Sequence, residues 1–105
     1  MIRYRLSRNA RILFVGINPH YGSYSRGVPF SNNKMFWYLL SDAGIIDEKR
    51  DYLRNDRNLR KLYDEKFVKK YHLNIINIVD RPTRAANEIV NGEEAVGNER
   101  LLKII

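Results

Sequence analysis

Two short apolar runs set the architecture: "RILFV" at residues 11–15 and "LNIINIV" at residues 73–79. Each has the length of a strand and each is closed by a turn signal, Gly16 after the first and "DRPT" after the second. That is the pattern of a buried β-strand. Between them lie two helical periods. Phe36, Leu39, Leu40 and Ala43 recur at helical spacing, with Ser31, Asn32 or Asn33 as candidate caps and Gly44 as the stop. In "NLRKLYDEKFVKKY" the inner stripe is Leu59, Leu62, Tyr63 and Phe67, which leaves Arg60, Lys61, Asp64 and Lys70 outward. Strand, helices, strand is a βαβ unit, and it implies a parallel sheet joined by a right-handed crossover. Two strands are too few for a parallel sheet covered on both faces. The last segment, "NERLLKII", starts an apolar helix with Leu101, Leu102, Ile104 and Ile105. The expectation is one incomplete α/β domain over residues 1–105, cut short after the second strand and its following helix or completed by another chain. A short final helix docking back on the core is the alternative.

Composition narrows the class. At 105 residues and 44% hydrophobic the chain is a single globular domain. No apolar stretch approaches the roughly eighteen residues that span a bilayer, so no membrane role is expected. The N-terminus has no secretory pattern, and a cytoplasmic location is the default. The absence of cysteine excludes disulfides, thiolate nucleophiles and sulfur-based metal sites. No cluster of His and carboxylates has metal-ligand spacing, so neither metal nor cofactor is expected. The net charge of +7 is unevenly spread. Up to Ser41 the chain holds Arg3, Arg5, Arg8, Arg11, Arg26 and Lys34 and no acid, while the remainder is close to balance. A one-signed field over that segment attracts a polyanion, which points to nucleic acid.

The same segment contains "GINPHYGSYSRGVPFSNN", residues 16–33. An ordinary connection needs about two to six residues; a loop three times longer directly behind a strand is a place to look for function. It contains no G-x-G-x-x-G or G-x-x-x-x-G-K-[ST], which argues against a Rossmann-like or P-loop nucleotide site. Its residue types suit cleavage of a base from its sugar. That reaction develops positive charge on the sugar and negative charge on the leaving base. A neutral amide such as Asn18 can position water, backbone amides can stabilise the departing anion, and an aromatic such as Phe30 can stack on an extruded base.

"GINP" after a strand, "GVPF" some ten residues on, "FW" opening a helix and a later "VDRPTRAANE" together resemble the mismatch-specific uracil- and thymine-DNA glycosylases of the uracil-DNA glycosylase superfamily. The resemblance covers roughly residues 12–88. It implies a three-layer parallel-sheet fold and hydrolysis of the N-glycosidic bond of uracil, and of mismatched thymine as a further substrate, in DNA. By resemblance Asn18 orients the attacking water, Phe30 stacks on the base, and the backbone at Gly16, Ile17 and around Phe30 reads its polar edge. Pro19 restricts Asn18 to an extended conformation.

Two departures from the family pattern stand out. The residue after Pro19 is His20, followed by Tyr21, where the mismatch-specific branch has a small residue; this pair either narrows the pocket to uracil or fills it. His20 is also a candidate acid–base group. The family carries a further portion after the "DRPT" helix, with a later wedge loop that helps flip the base, and no counterpart to it is expected after Ile105. The expected DNA contacts are Ser23, Arg26, Lys34, Arg81, Thr83 and Arg84, with Asp80 supporting the first loop and Asn87 a further candidate. A truncated, catalytically inactive DNA- or base-binding relative is the competing reading. The apolar C-terminal helix is expected to mediate a homodimer or to recruit a completing chain.

Overall fold

A computed structural model of the chain describes residues 1–79 and 81–83. Both apolar runs form strands. β1 (Ile12–Gly16) and β2 (Leu73–Asn77) pair in parallel, Ile12 opposite Leu73 and Gly16 opposite Asn77. The pairing continues past both strand ends: the Ile78 N–H donates to the Gly16 carbonyl (2.9 Å), Val79 N–H to Ile17 (2.8 Å) and Thr83 N–H to Pro19 (3.1 Å). The "GINP" and "DRPT" segments therefore run side by side.

β2 is buried along its whole length, as its apolar run requires, but β1 is not. Phe14 packs edge-on against Phe36 (ring centroids 5.0 Å apart). Val15, one residue on, faces the opposite side and is 45% exposed. The expectation that β1 is buried on both faces is corrected here: the helices cover the Phe14 side, and no described residue closes over Val15.

Four helices connect the strands: α1 (Tyr21–Arg26), α2 (Met35–Asp42), α3 (Arg50–Leu53) and α4 (Asp56–Leu62), the last running on as a π-helical segment, Tyr63–Phe67. α1 lies inside the stretch read as loop. It has no apolar period to announce it; it is made by its ends. The His20 ring Nδ1 accepts the Gly22 N–H at 3.0 Å, and Gly27, at φ +73°, folds its N–H back onto the carbonyls of Ser23 and Tyr24.

In α2 the buried face is Trp37, Leu40 and Ser41, and Leu39 is 56% exposed. The inward set is thus rotated from the expected Phe36, Leu39, Leu40 and Ala43. Trp37 decides it. Its indole N–H donates to the Pro29 carbonyl (2.9 Å), and the rings of Phe36, Tyr63 and Phe67 stand edge-on or tilted to it at 5.2–6.3 Å. Burying so large a ring outweighs burying Leu39. Of the candidate caps, Asn33 contributes, its side-chain oxygen accepting the Met35 N–H at 3.0 Å. Gly44 ends the helix at φ +73°.

Further along, Leu59, Leu62, Tyr63 and Phe67 are all fully buried, as the spacing predicts. The α2–α3 connection is pinned to the far end of this helical run. Glu48 accepts the Tyr71 hydroxyl (2.6 Å) and the Lys66 ammonium (3.0 Å). Burial pushes the Glu48 carboxyl up, but these two hydrogen bonds and the Lys66 charge outweigh it and hold the group below its usual value. On the other side the N-terminal segment exchanges two hydrogen bonds with the buried Asn74 of β2 through the Ser7 backbone (3.0 and 2.9 Å), so this strand amide is satisfied. The roles expected of Asp80, Arg84, Asn87 and the apolar C-terminal segment lie outside the described residues.

Candidate functional site

The chain turns sharply where β1 ends. Gly16 has an ordinary negative-φ backbone, yet no side chain fits there. A Cβ on Gly16 would stand 2.3 Å from the Asn77 side-chain oxygen and 2.4 Å from the Phe30 ring. Glycine is therefore required by close approach, not by its turn conformation. Phe30 itself holds a left-handed backbone, φ +56°, a conformation costing on the order of 1–3 kcal/mol for a non-glycine residue. Its ring lies against Gly16 and edge-on to Phe36, 4.8 Å between centroids.

Beside it opens a cavity of about 240 Å³, lined by Asn18, Pro19, His20, Ser23, Phe30, Asn32, Asn33 and Phe36. Two walls are aromatic, and the remainder carries amide, hydroxyl and imidazole groups. Asn18 is held from the second motif: its side-chain Nδ2 donates to the Thr83 hydroxyl (2.7 Å) and the Arg81 carbonyl (2.9 Å). A carbonyl oxygen only accepts, so the atom facing it is the amide nitrogen. This orientation leaves the Asn18 oxygen without a partner among the described residues.

His20 lines the cavity with its Nδ1 occupied in capping α1. Tyr21 does not reach the lining; it is exposed on α1, its ring 6.4 Å from that of His20. Ile17 is also exposed. Ser23 is buried, and its hydroxyl accepts the Ser31 N–H at 2.9 Å, so that backbone group is already engaged. The Phe30 N–H has no partner among the described residues. Thr83 is buried and Arg81 exposed, both beside Asn18.

The charge asymmetry seen along the chain is partly cancelled in space. Arg26 (3.4 Å) and Lys34 (2.6 Å) converge on Asp56, and Arg5 meets Asp64 (3.5 Å). The Lys34 hydrogen bond, with the charges of Lys34 and Arg26, holds Asp56 below the usual carboxylate range. Arg3, Arg8 and Arg11 form no ion pair among the described residues. The acids that meet Arg5, Arg26 and Lys34 come from the later, balanced part of the sequence, which a count along the chain does not anticipate.

Sequence reasoning left several residues of the cavity and its support out of the site. Asn32, Asn33 and Phe36 complete the lining. Asn77 is fully buried behind Gly16, its Nδ2 donating to the Tyr4 hydroxyl at 2.8 Å. An amide inside the run "NIINIV" was the available signal, because a buried polar group needs a reason. Residues 4–103, almost the whole chain, match the family described as the uracil DNA glycosylase superfamily, whose members act on DNA, and the chain belongs to that superfamily.

Proposed function

We propose that this chain hydrolyses the N-glycosidic bond of uracil in DNA, with Asn18 positioning the attacking water. The observation that carries the reading is the anchoring of the Asn18 amide nitrogen by Thr83 and Arg81, which leaves its oxygen as the acceptor beside a cavity walled by Phe30. A water donating one proton to that oxygen presents a lone pair to the sugar C1′. As the C1′–N1 bond breaks, its electron pair leaves with the base; water forms the new C1′–O bond, and the proton it loses passes through solvent to neutralise the departing uracil anion. The developing negative charge on the base is stabilised by backbone N–H groups of the loop, that of Phe30 among them. No group on the chain becomes covalently attached.

The cavity of about 240 Å³ has room for a single-ring base stacked on Phe30. His20, fixed by its capping bond, stands in the lining where a small residue would leave more room. This supports uracil over mismatched thymine as the preferred base. Self-association through the apolar residues Leu101, Leu102, Ile104 and Ile105 belongs to the same proposal and is read by light scattering.

The test is base release from duplexes carrying G·U, A·U or G·T, scored as abasic sites. The parent chain is expected to release uracil, with G·T slower. Asn18→Ala is expected to lose about two to three orders of magnitude, the loss typical when a preorganised polar group is removed from a reacting centre. Equal release by parent and Asn18→Ala refutes the role of Asn18. No release from a folded parent chain favours an inactive binding relative.

A further inference from the structure

The ends of two neighbouring helices send their cations to one carboxylate. Arg26 closes α1 and Lys34 opens α2, and both meet Asp56, the first residue of α4. The two cations are held differently from the acid. Arg26 also donates to the Ser31 carbonyl (3.1 Å), and Lys34 to the Arg54 carbonyl (2.6 Å). The Lys34 side chain is only 12% exposed, whereas that of Asp56 is 58% exposed. A guanidinium and an ammonium are thus fixed in place by backbone oxygens, and the anion between them lies at the solvent surface. Both cations border the cavity through their neighbours: Asn33 precedes Lys34, and Arg26 folds back over Gly22 beside Asn32.

We propose that Arg26 and Lys34 form a binding pair for a DNA backbone phosphate, and that Asp56 occupies this pair as an internal phosphate substitute. The inference rests on the reading of the chain as a DNA-acting protein. Exposed ion pairs contribute little and are screened by salt. A strand phosphate that displaces Asp56 gains the release of its own counterions. Asp56 thereby sets a threshold: DNA binds weakly at this point until a strand is positioned well enough to displace the carboxylate. The competing role, a staple joining α1 and α2 to α4, predicts an effect on stability alone.

The experiment measures anisotropy of a short fluorescein-labelled duplex between ~50 and ~200 mM salt. It compares the parent with Asp56→Asn and with Asp51→Asn. The second variant removes an equal charge from another exposed, ion-paired carboxylate, that facing Arg54. Asp56→Asn is expected to bind roughly three- to tenfold more tightly at low salt, with a salt slope steeper by about one phosphate contact. Asp51→Asn is expected to change affinity less than twofold. Arg26→Gln added to Asp56→Asn returns binding to the parent level. Asp56→Ser repeats the first arm with a different side chain, should the Asn variant fold poorly. Unchanged or weaker binding by the Asp56 variants, an equal gain from Asp51→Asn, or no DNA binding by any form overturns the proposal. Uracil release is scored on the same proteins, so the two readings separate. Tighter binding without release leaves the phosphate pair and removes the enzyme. Release with unchanged binding does the reverse.

Discussion

Gly16→Ala is the most informative single change, because it opposes two effects of known sign. Gly16 already has a backbone conformation that alanine accepts, so the substitution removes freedom from the unfolded chain and on that account stabilises by about 0.4–1 kcal/mol. Against this, the new methyl would stand 2.3 Å from the Asn77 oxygen and 2.4 and 2.7 Å from two Phe30 ring carbons. All are closer than any real contact, so the Asn77 amide as well as the Phe30 ring is displaced. The Phe30 ring must move, at an overpacking cost of roughly 1–3 kcal/mol. It also gives up its edge-on contact with Phe36, worth about 0.5–1.5 kcal/mol. The balance is a destabilisation centred on about 2 kcal/mol. For a domain of this size that lowers Tm by roughly 5–20 °C, measurable by circular dichroism or urea titration. The displaced ring also shifts a wall of the cavity, so uracil release is expected to fall further than the loss of folded protein explains. A Tm equal to or above the parent's would refute the packing argument, since it would mean that the conformational gain wins.

Two further changes probe the links around the site. Thr83→Val keeps the shape of the side chain and removes the hydroxyl that holds Asn18 at 2.7 Å; uracil release is expected to drop about five- to tenfold, in line with one hydrogen bond of about 1 kcal/mol, with Asn18 freed to rotate. A smaller drop than twofold would show that the Arg81 carbonyl alone suffices. Glu48→Gln tests the cluster at the far end of the helices. Because the folded Glu48 carboxyl lies below its unfolded value, its contribution is present above the unfolded pKa and is lost as pH falls through the folded one. The parent is therefore expected to lose stability as pH falls through and below the ordinary glutamate range. The Gln variant, about 1 kcal/mol less stable at neutral pH, is expected to lose less over that window. Parallel pH profiles would exclude Glu48 as the titrating group.

What the sequence disclosed follows from the range of the forces involved. β2 and the Leu59, Leu62, Tyr63, Phe67 stripe were legible because each is a local pattern buried by its own periodicity. α1 was not, since six residues without an apolar repeat are shaped by a histidine cap and a left-handed glycine. The face of α2 was misjudged because Trp37 is drawn inward by Pro29, Tyr63 and Phe67, partners that lie outside its own helix. In the candidate site, "GINP" and "DRPT" were each visible as local motifs, but the bond from Asn18 to Thr83 joins residues 65 positions apart. The same holds for Arg26 and Lys34, whose charges read as free along the chain and are paired in space by Asp56.

That long reach from Asn18 to Thr83 has a consequence for the order in which the protein is made. The ribosome delivers Asn18, Phe30 and Phe36 early, but the residue that aligns the Asn18 amide arrives only after both strands and every intervening helix described here. Domains assemble as units while synthesis proceeds from the N-terminus. A nascent chain that has not yet released residue 83 therefore has the residues of the pocket's aromatic walls, but not the partner that aligns Asn18. Such an intermediate holds half of the site and cannot present Asn18 in its finished orientation.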